Sequence, residues 1–237
     1  MTLVDWERRV GALGQFRVED PSQPVLSRID EHHLRTVLRA NTGEEVVVSD
    51  GYGSWSLCRV RDCDLERVSD VNLDPASPET VLYLAPLKAD RSEWAVAKAT
   101  EVGISRIVPL VSERLAVKFR GEARDKILRR WRRIADEASG QCRRTYALSV
   151  AEPVSVCDVA LEVAVAHFDG EADWSAVRAV AIGPEGGWSA QEWEPSRRRL
   201  SLGPTVLRAE TAAVVAASLM AFGSGGWGFT LTGSISG

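Results

Sequence analysis

The sequence predicts an α/β domain built on a parallel sheet and preceded by a small β-rich module. Three observations carry that prediction. From residue 80 onward, short apolar runs alternate with longer segments of helical periodicity, the pattern of parallel strands covered by helices on both faces. Before residue 72, short alternating segments are separated by turn residues. Between the two, Asn72-Leu73-Asp74-Pro75-Ala76-Ser77-Pro78 holds two prolines and small polar residues that oppose regular pairing, so it reads as a linker. The expected organisation is a module over 1–72, a linker over 73–79, the α/β domain over 80–223 and a flexible Gly/Ser-rich tail over 224–237.

In the first module Phe16 and Val18 alternate with Arg17 and Glu19, as in a half-buried strand. A short helix follows, with Asp30 as its N-cap, His33, Leu34, Val37 and Leu38 on one face, and Gly43 beyond its end. Val46-Val47-Val48 and Trp55 to Val60 flank Asp50-Gly51 and Gly53, which is a hairpin signature.

In the second region Thr80–Ala85 is an apolar strand, and Arg91–Val102 is helical, with Trp94, Ala97 and Val102 inward and Gly103 closing it. Arg106–Leu110 is a strand. Glu122–Ser139 is a long helix with Ile127, Trp131, Ile134 and Ala138 inward, closed by Gly140. Strands are expected at Glu162–Phe168 and Arg178–Ile182, a helix near Ser189–Arg199, a short strand at Leu200–Leu202 and a last helix over Glu210–Phe222.

Composition excludes several classes. A hydrophobic content of 45% with 26% charged residues is an ordinary globular balance. The net charge of −4 gives no global attraction to nucleic acid, so any such case rests on local charge. Cys58, Cys63, Cys142 and Cys157 form no metal-like spacing, and reduced thiols in a cytoplasmic protein are expected. The opening MTLVDWERRV carries charge where a signal peptide would be apolar, and the apolar run Ala212–Phe222 is too short to cross a bilayer. His32 and His33 are adjacent on a helix and cannot share a ligand face; no metal site and no protease or lipase motif is expected.

Three constellations stand out. Ile182-Gly183-Pro184-Glu185-Gly186-Gly187-Trp188 follows an apolar strand and can bend tightly enough to present backbone groups to a ligand. A phosphate loop is one reading, although Glu185 would repel polyphosphate and no Lys-Ser/Thr follows. A ligand with an adenine, a ribose and a positive sulfonium suits the charge better, and an ordinary strand-to-helix turn is the bland alternative. In Leu202-Gly203-Pro204-Thr205-Val206-Leu207-Arg208-Ala209-Glu210-Thr211-Ala212 a Gly-Pro turn precedes Arg and Glu two apart at a helix start, which could equally be a capped helix with a surface ion pair. Phe119–Arg133 sets seven cations against two carboxylates, either a phosphate-binding stripe or a solvated face, with Arg143-Arg144 just beyond.

In order, Lys88, Lys98-Ala99-Thr100-Glu101-Val102-Gly103, Pro109, Ser112-Glu113-Arg114, Arg130-Trp131, Gln141, Arg144, Gly183-Pro184-Glu185-Gly186-Gly187 and Leu207-Arg208-Ala209-Glu210-Thr211-Ala212 resemble the RsmE family of 16S ribosomal RNA uracil-N3 methyltransferases, of the SPOUT superfamily. Phe16-Arg17-Val18 and His33–Arg39 followed by Gly43 are similar to that family's PUA-like RNA-binding module, and the resemblance covers residues 12–222. Three positions depart from it. Gly140 stands where the family has Glu, a proline is missing around Ala147-Leu148, and Leu115 replaces a Ser.

The resemblance implies a SPOUT domain with a C-terminal trefoil knot, a fold otherwise discouraged by the general avoidance of knots. It implies S-adenosylmethionine held by Phe168, Ile182, Gly183, Pro184, Glu185, Gly186, Gly187, Leu202, Gly203, Val206 and Leu207, and a homodimer acting on 16S rRNA in the small ribosomal subunit. Uridine N3 is a protonated imide at neutral pH, so proton removal or charge stabilisation is required. Arg208 is the candidate for charge stabilisation and Glu210 for proton removal or for orienting Arg208, while Arg39, Arg91, Lys98, Gln141 and Arg144 are candidates for RNA contact. The rival readings are a methyltransferase acting on another RNA, an inactive ribosome-assembly factor, and a nucleotide hydrolase that lacks the usual phosphate-binding lysine.

Overall fold

A computed structural model describes residues 3–62, 64–192 and 196–223, with the side chains from residue 6 onward; Cys63 and the tail expected over 224–237 lie outside the described residues. The described chain forms two compact units: 3–76 with 139–147, and 77–138 with 148–223.

The first unit opens with helix α1 (Leu3–Gly11), for which the sequence reading had no helix. Its last turn carries Arg8 and Arg9, favourable at the negative end of the helix dipole. Arg8 pairs with Glu45 at 2.9 Å, and the buried Arg9 pairs with Asp74 at 2.7 Å while its guanidinium lies over the Trp6 and Trp55 rings. Strand β1 (Gln15–Arg17) runs parallel to β2 (Glu45–Ser49), which forms the expected hairpin with β3 (Ser54–Arg61). β4 (Asp64–Arg67) and β5 (Asn72–Leu73) both pair antiparallel with β3. In the hairpin turn the Asp50 carboxylate accepts from the Tyr52 and Ser54 amides, and Gly51 and Gly53 take φ of 78° and 103°, which only glycine adopts at little cost.

Because side chains alternate along a strand, Val46 and Val48 pack with Phe16, Val18, Leu34, Cys58 and Val60, while Val47 packs with Ala12, Trp55 and Leu57. The unbroken Val46-Val47-Val48 run is thus a strand buried on both faces. The short helix α2 (Arg28–His32) continues as one wider turn over His33–Val37. Its N-cap is Ser27, whose Oγ accepts from the Asp30 amide; Asp30, expected as the cap, lies in the first turn. Of the four residues expected on its inner face only Leu34 is buried, with Leu38 partly so.

The segment 139–147 belongs to this unit although it lies 60 residues beyond the linker. Thr145 Oγ1 donates to the Asp74 carboxylate at 2.7 Å, Tyr146 donates to the Asp74 carbonyl at 2.9 Å, and Arg143 donates to the Ala12 carbonyl at 2.7 Å.

The second unit is built on a seven-stranded sheet comprising β6 (Val81–Leu84), β7 (Arg106–Val111), β8 (Ser149–Val150), β9 (Val154–Ser155), β10 (Ala164–Glu171), β11 (Ala179–Ile182) and β12 (Arg199–Leu200). Its order is β12-β10-β11-β6-β7-β8, with β9 also on β7, and every pairing is parallel as expected. Helices α3 (Arg91–Glu101), α4 (Gly121–Gln141) and α5 (Ala209–Gly223) bury their apolar residues in one cluster with Leu82, Leu84, Ile107, Val180, Ile182 and Leu200. The opposite side chains of the same strands, Ala85, Leu110 and Ala181, meet Val156, Val159, Val163 and Trp188. That second face is therefore covered, among the described residues, by a 3-10 turn (Val156–Asp158) and loops rather than by the expected helices.

Three further expectations are corrected. α3 buries Ser92, Ala95, Val96, Ala99 and Thr100, and Trp94 points outward at 47% exposure, because the small-residue stripe is the face that seats the helix on α5. α4 buries Leu128, Trp131, Ala135 and Ala138, with Ile127 and Ile134 on the flank of that stripe. The described part of 189–198 is turns and irregular chain, not a helix, and Arg199 already belongs to β12. Among the described residues no helix is long and apolar enough to cross a membrane, and no three His, Cys, Asp or Glu converge as metal ligands.

Candidate active site

All strands of the second sheet run the same way, so the segments following β6, β7, β10, β11 and β12 leave it along one edge, the edge where open α/β sheets bind ligands. Both glycine-containing motifs lie there. β11 delivers Ile182, buried, into the bend that begins at Gly183. A Cβ on Gly183 would come within 2.9 Å of the Trp188 ring, and one on Gly186 within 3.0 Å of the Arg114 carbonyl. Gly187 takes φ of 69° and its amide donates to the Pro184 carbonyl at 2.9 Å. Each of the three glycines thus has its own steric reason.

The bend is braced by a residue that the sequence reading did not single out. Glu192 is buried and accepts from the Glu113 amide at 2.8 Å, the Ser189 amide at 3.0 Å and Ser112 Oγ at 3.1 Å. The Glu192 amide in turn donates to Ser189 Oγ at 3.3 Å, so Ser189-x-x-Glu192 forms a reciprocal capping box. That pattern was the available signal. Arg114 adds a contact of 3.4 Å to the Gly186 carbonyl.

β12 leads into the second bend, where Gly203 takes φ of 123° and its amide donates to Ser201 Oγ. Leu202 and Leu207 pack on the main core, while Val206 between them is 94% exposed. The Arg208 carbonyl accepts from the Ala212 amide at 2.8 Å, opening α5, and the exposed Arg208 side chain makes no polar contact with a described residue. Glu210 lies in the first turn of α5, where a carboxylate complements the helix dipole. Its Oε1 is 3.7 Å from Arg91 Nε, and its Oε2 is buried without a hydrogen-bond partner among the described residues. Arg91 also reaches Glu185 Oε1 at 3.4 Å. One guanidinium from the start of α3 therefore ties the first bend to the helix that follows the second.

Phe168, the remaining predicted cofactor residue, lies in β10 where the pairing with β12 shifts register, and it is 78% exposed. The adjoining His167 ring contacts the Asp169 carboxylate, which Arg199 holds at 2.7 Å from β12. A Cβ on Gly170 would fall 2.5 Å from the Leu200 backbone, so the bulge can close on β12 only with glycine there. His167, Asp169 and Arg199 were not legible, because their meeting depends on β12 pairing with β10.

The five predicted RNA contacts are divided between the two units. Arg39, Gln141 and Arg144 belong to the first unit, and Arg91 and Lys98 to the second. Arg39 is exposed at φ of 52°, and Gln141 is exposed at the end of α4. Arg144 is half-buried, donates to the Tyr146 carbonyl, and its own carbonyl accepts from Gln15 at 2.6 Å. Burial pulls its guanidinium pKa down to about 10. Lys98 pairs with Glu101 at 2.7 Å.

With that geometry established, the family model of the RNA methyltransferase domain matches residues 75–221. The chain is 33% identical over 213 residues to Ribosomal RNA small subunit methyltransferase E of Mycobacterium tuberculosis, covering 78% of this chain and 80% of that protein. It is 27% identical over 240 residues to the protein of the same name from Bacillus subtilis, covering 89% and 94%. Among solved structures, a methyltransferase of Legionella pneumophila in complex with the bound cofactor SAM superposes with a TM-score of 0.76 at 28% identity, covering 88% of this chain and 96% of that one.

Proposed function

We propose, from the premise that this chain belongs to the RNA methyltransferase family that includes Ribosomal RNA small subunit methyltransferase E, that it transfers a methyl group from S-adenosylmethionine to N3 of a uridine in 16S rRNA of the small ribosomal subunit. The observation that carries the reading is the convergence of both glycine bends, Arg208 and Glu210 on one sheet edge, with a buried carboxylate oxygen there lacking a donor.

The residues fit the cofactor's chemistry. Glu185 and Glu210 supply negative charge suited to a sulfonium and unsuited to polyphosphate, and the glycine bends leave backbone groups accessible to an adenosyl moiety. Gly183–Gly187 and Ile182 from the first bend, Leu202, Gly203, Val206 and Leu207 from the second, and Phe168 from the β10 bulge are the residues that would hold it. S-adenosylmethionine supplies an electrophilic methyl group on a positively charged sulfur.

The remaining work falls to the chain. N3 lies on the Watson–Crick edge, so the uridine must be unpaired or flipped out. Glu210 accepts the N3 proton through its free oxygen while Arg91 holds the other. Arg208, unpaired among the described residues, stabilises the negative charge spread onto the uracil carbonyl oxygens.

The same reading extends to the architecture. The C-terminal segment forms the trefoil knot of the SPOUT superfamily, and the five-stranded unit serves as a PUA-like RNA-binding domain that offers Arg39, Gln141 and Arg144 to RNA. The enzyme works as a cytoplasmic homodimer, for which the exposed apolar Trp94 and Phe222 offer contact area. Incubating the protein with labelled S-adenosylmethionine and small subunits from a strain lacking the activity, then mapping the label by mass spectrometry, tests this. Label on uridine N3 supports it; label on tRNA or on another atom redirects the substrate; cofactor binding with no transfer to any RNA overturns it.

A further inference from the structure

The eight cations between Lys118 and Arg133 face only two carboxylates, Glu122 and Asp125, in a chain whose net charge is −4. The structure divides these cations into two sets. Arg124 pairs with Asp125, Arg130 with Glu93, Arg132 with Glu152 and Arg133 with Glu137, each within 2.9 Å. Lys118, Arg120, Lys126 and Arg129 are all exposed and make no side-chain hydrogen bond or ion pair with any described residue.

The unpaired four are also contiguous. Lys118, Arg120 and Lys126 line an open depression with Gly121, Glu122 and Ala123 where α4 begins. Residues 122, 126, 129 and 133 lie three or four apart, on the face of α4 opposite the buried Leu128, Trp131, Ala135 and Ala138. The chain reaches this point directly from the active-site edge, through Arg114 against Gly186 and the buried Phe119. Three residues of chain thus separate Arg114, at the first glycine bend, from the cations that begin at Lys118 and continue onto the outer face of α4. The lining of the depression holds no large apolar or aromatic side chain, so it lacks the buried anchors of a protein interface. Repeated cations without carboxylate partners suit a phosphate backbone.

We infer that Lys118, Arg120, Lys126 and Arg129 form a phosphate-docking surface that holds the RNA strand beside the methyl-transfer site. This rests on the RNA methyltransferase reading, but the test reads binding rather than turnover. The probe is isolated small ribosomal subunits, titrated against the full chain between 50 and 200 mM salt. Four phosphate contacts contribute about 3 units to the slope of log affinity against log salt. The variant Lys118→Gln/Arg120→Gln/Lys126→Gln/Arg129→Gln is expected to lower the slope by that amount and to weaken binding at least about tenfold at 150 mM. The control Arg132→Gln/Arg133→Gln, which touches only cations already paired, keeps the wild-type slope. Calorimetric affinity for S-adenosylmethionine stays unchanged in both and certifies the fold.

An unchanged slope and affinity in the quadruple variant, with cofactor binding intact, overturns the proposal, as does a preference for polyglutamate over RNA. If the wild-type chain transfers no methyl group yet shows the salt-dependent binding and its loss in the variant, the enzymatic reading fails and the docking surface stands.

Discussion

Arg208 and Glu210 stand two residues apart at the mouth of α5, yet their surroundings suit them to different tasks. Arg208 is exposed and has no polar partner among the described residues, which suits it to meet charge that develops on a substrate. Glu210 is mostly buried, with one oxygen near Arg91 and the other lacking a donor. Leaving a buried acceptor unpaired costs about 1–3 kcal/mol, a cost recovered when substrate brings a donor. Arg208→Ala is expected to lower kcat about 100-fold or more while changing the dissociation constant for S-adenosylmethionine by less than about threefold. Equal losses in both, from single-turnover kinetics and calorimetry, would contradict its role. Arg91 tests the distinction between positioning and RNA contact. Because it already bridges Glu185 and Glu210, Arg91→Ala should reduce kcat about tenfold with little change in KM for RNA, and Arg91→Lys should rescue part of the loss. A phosphate-contacting Arg91 would instead raise KM for RNA and lower its salt slope, leaving kcat in place.

At the scale of elements, the two site bends were legible because glycine and proline following an apolar strand limit the backbone to a few tight paths. The helices were legible as periods and less so as faces. The stripe on α4 lies one residue from the Ile127/Ile134 register, since Leu128 and Ala135 seat deeper, and Trp94 faces outward because small residues seat α3. What holds the first bend in place was hidden, because Glu192 acts on Ser112, 80 residues away in sequence. The Ser189–Glu192 capping box forms without a helix following it among the described residues, and its carboxylate is recruited by the segment after β7. Glu192→Ala would orphan the Glu113 and Ser189 amides together with Ser112 Oγ. A stability loss of about 2 kcal/mol or more in denaturant unfolding is expected, with at least about tenfold weaker cofactor affinity. A stable variant with wild-type affinity would show that the bend holds its shape unaided.

Across the whole molecule charge is sorted by place. Four cations without partners among the described residues line the start and outer face of α4, while in the first unit Arg8 and Arg59 both reach Glu45, at 2.9 and 3.3 Å. The hydrogen bond from Arg8, helped by Arg59, holds the Glu45 carboxyl below its ordinary range against a smaller opposing effect of burial. A carboxylate whose pKa is lower folded than unfolded adds stability above its unfolded value, about 4.3, and loses it as pH falls through the folded one. Glu45 is partly exposed, so solvent screening keeps this contribution modest. It is nonetheless placed where α1 meets β2, so its loss should loosen the helix that buries Arg9 between Trp6 and Trp55. The melting temperature of Glu45→Gln should therefore lie furthest below wild type near neutral pH. That gap should narrow as the pH falls below about 4, because the wild-type carboxyl then becomes neutral as well. Thermal melts of both proteins from pH 7 to pH 3, at constant ionic strength, measure the difference directly. A gap of constant size across that range would mean that packing of the α1–β2 contact, and not the charge on Glu45, accounts for its share of the stability.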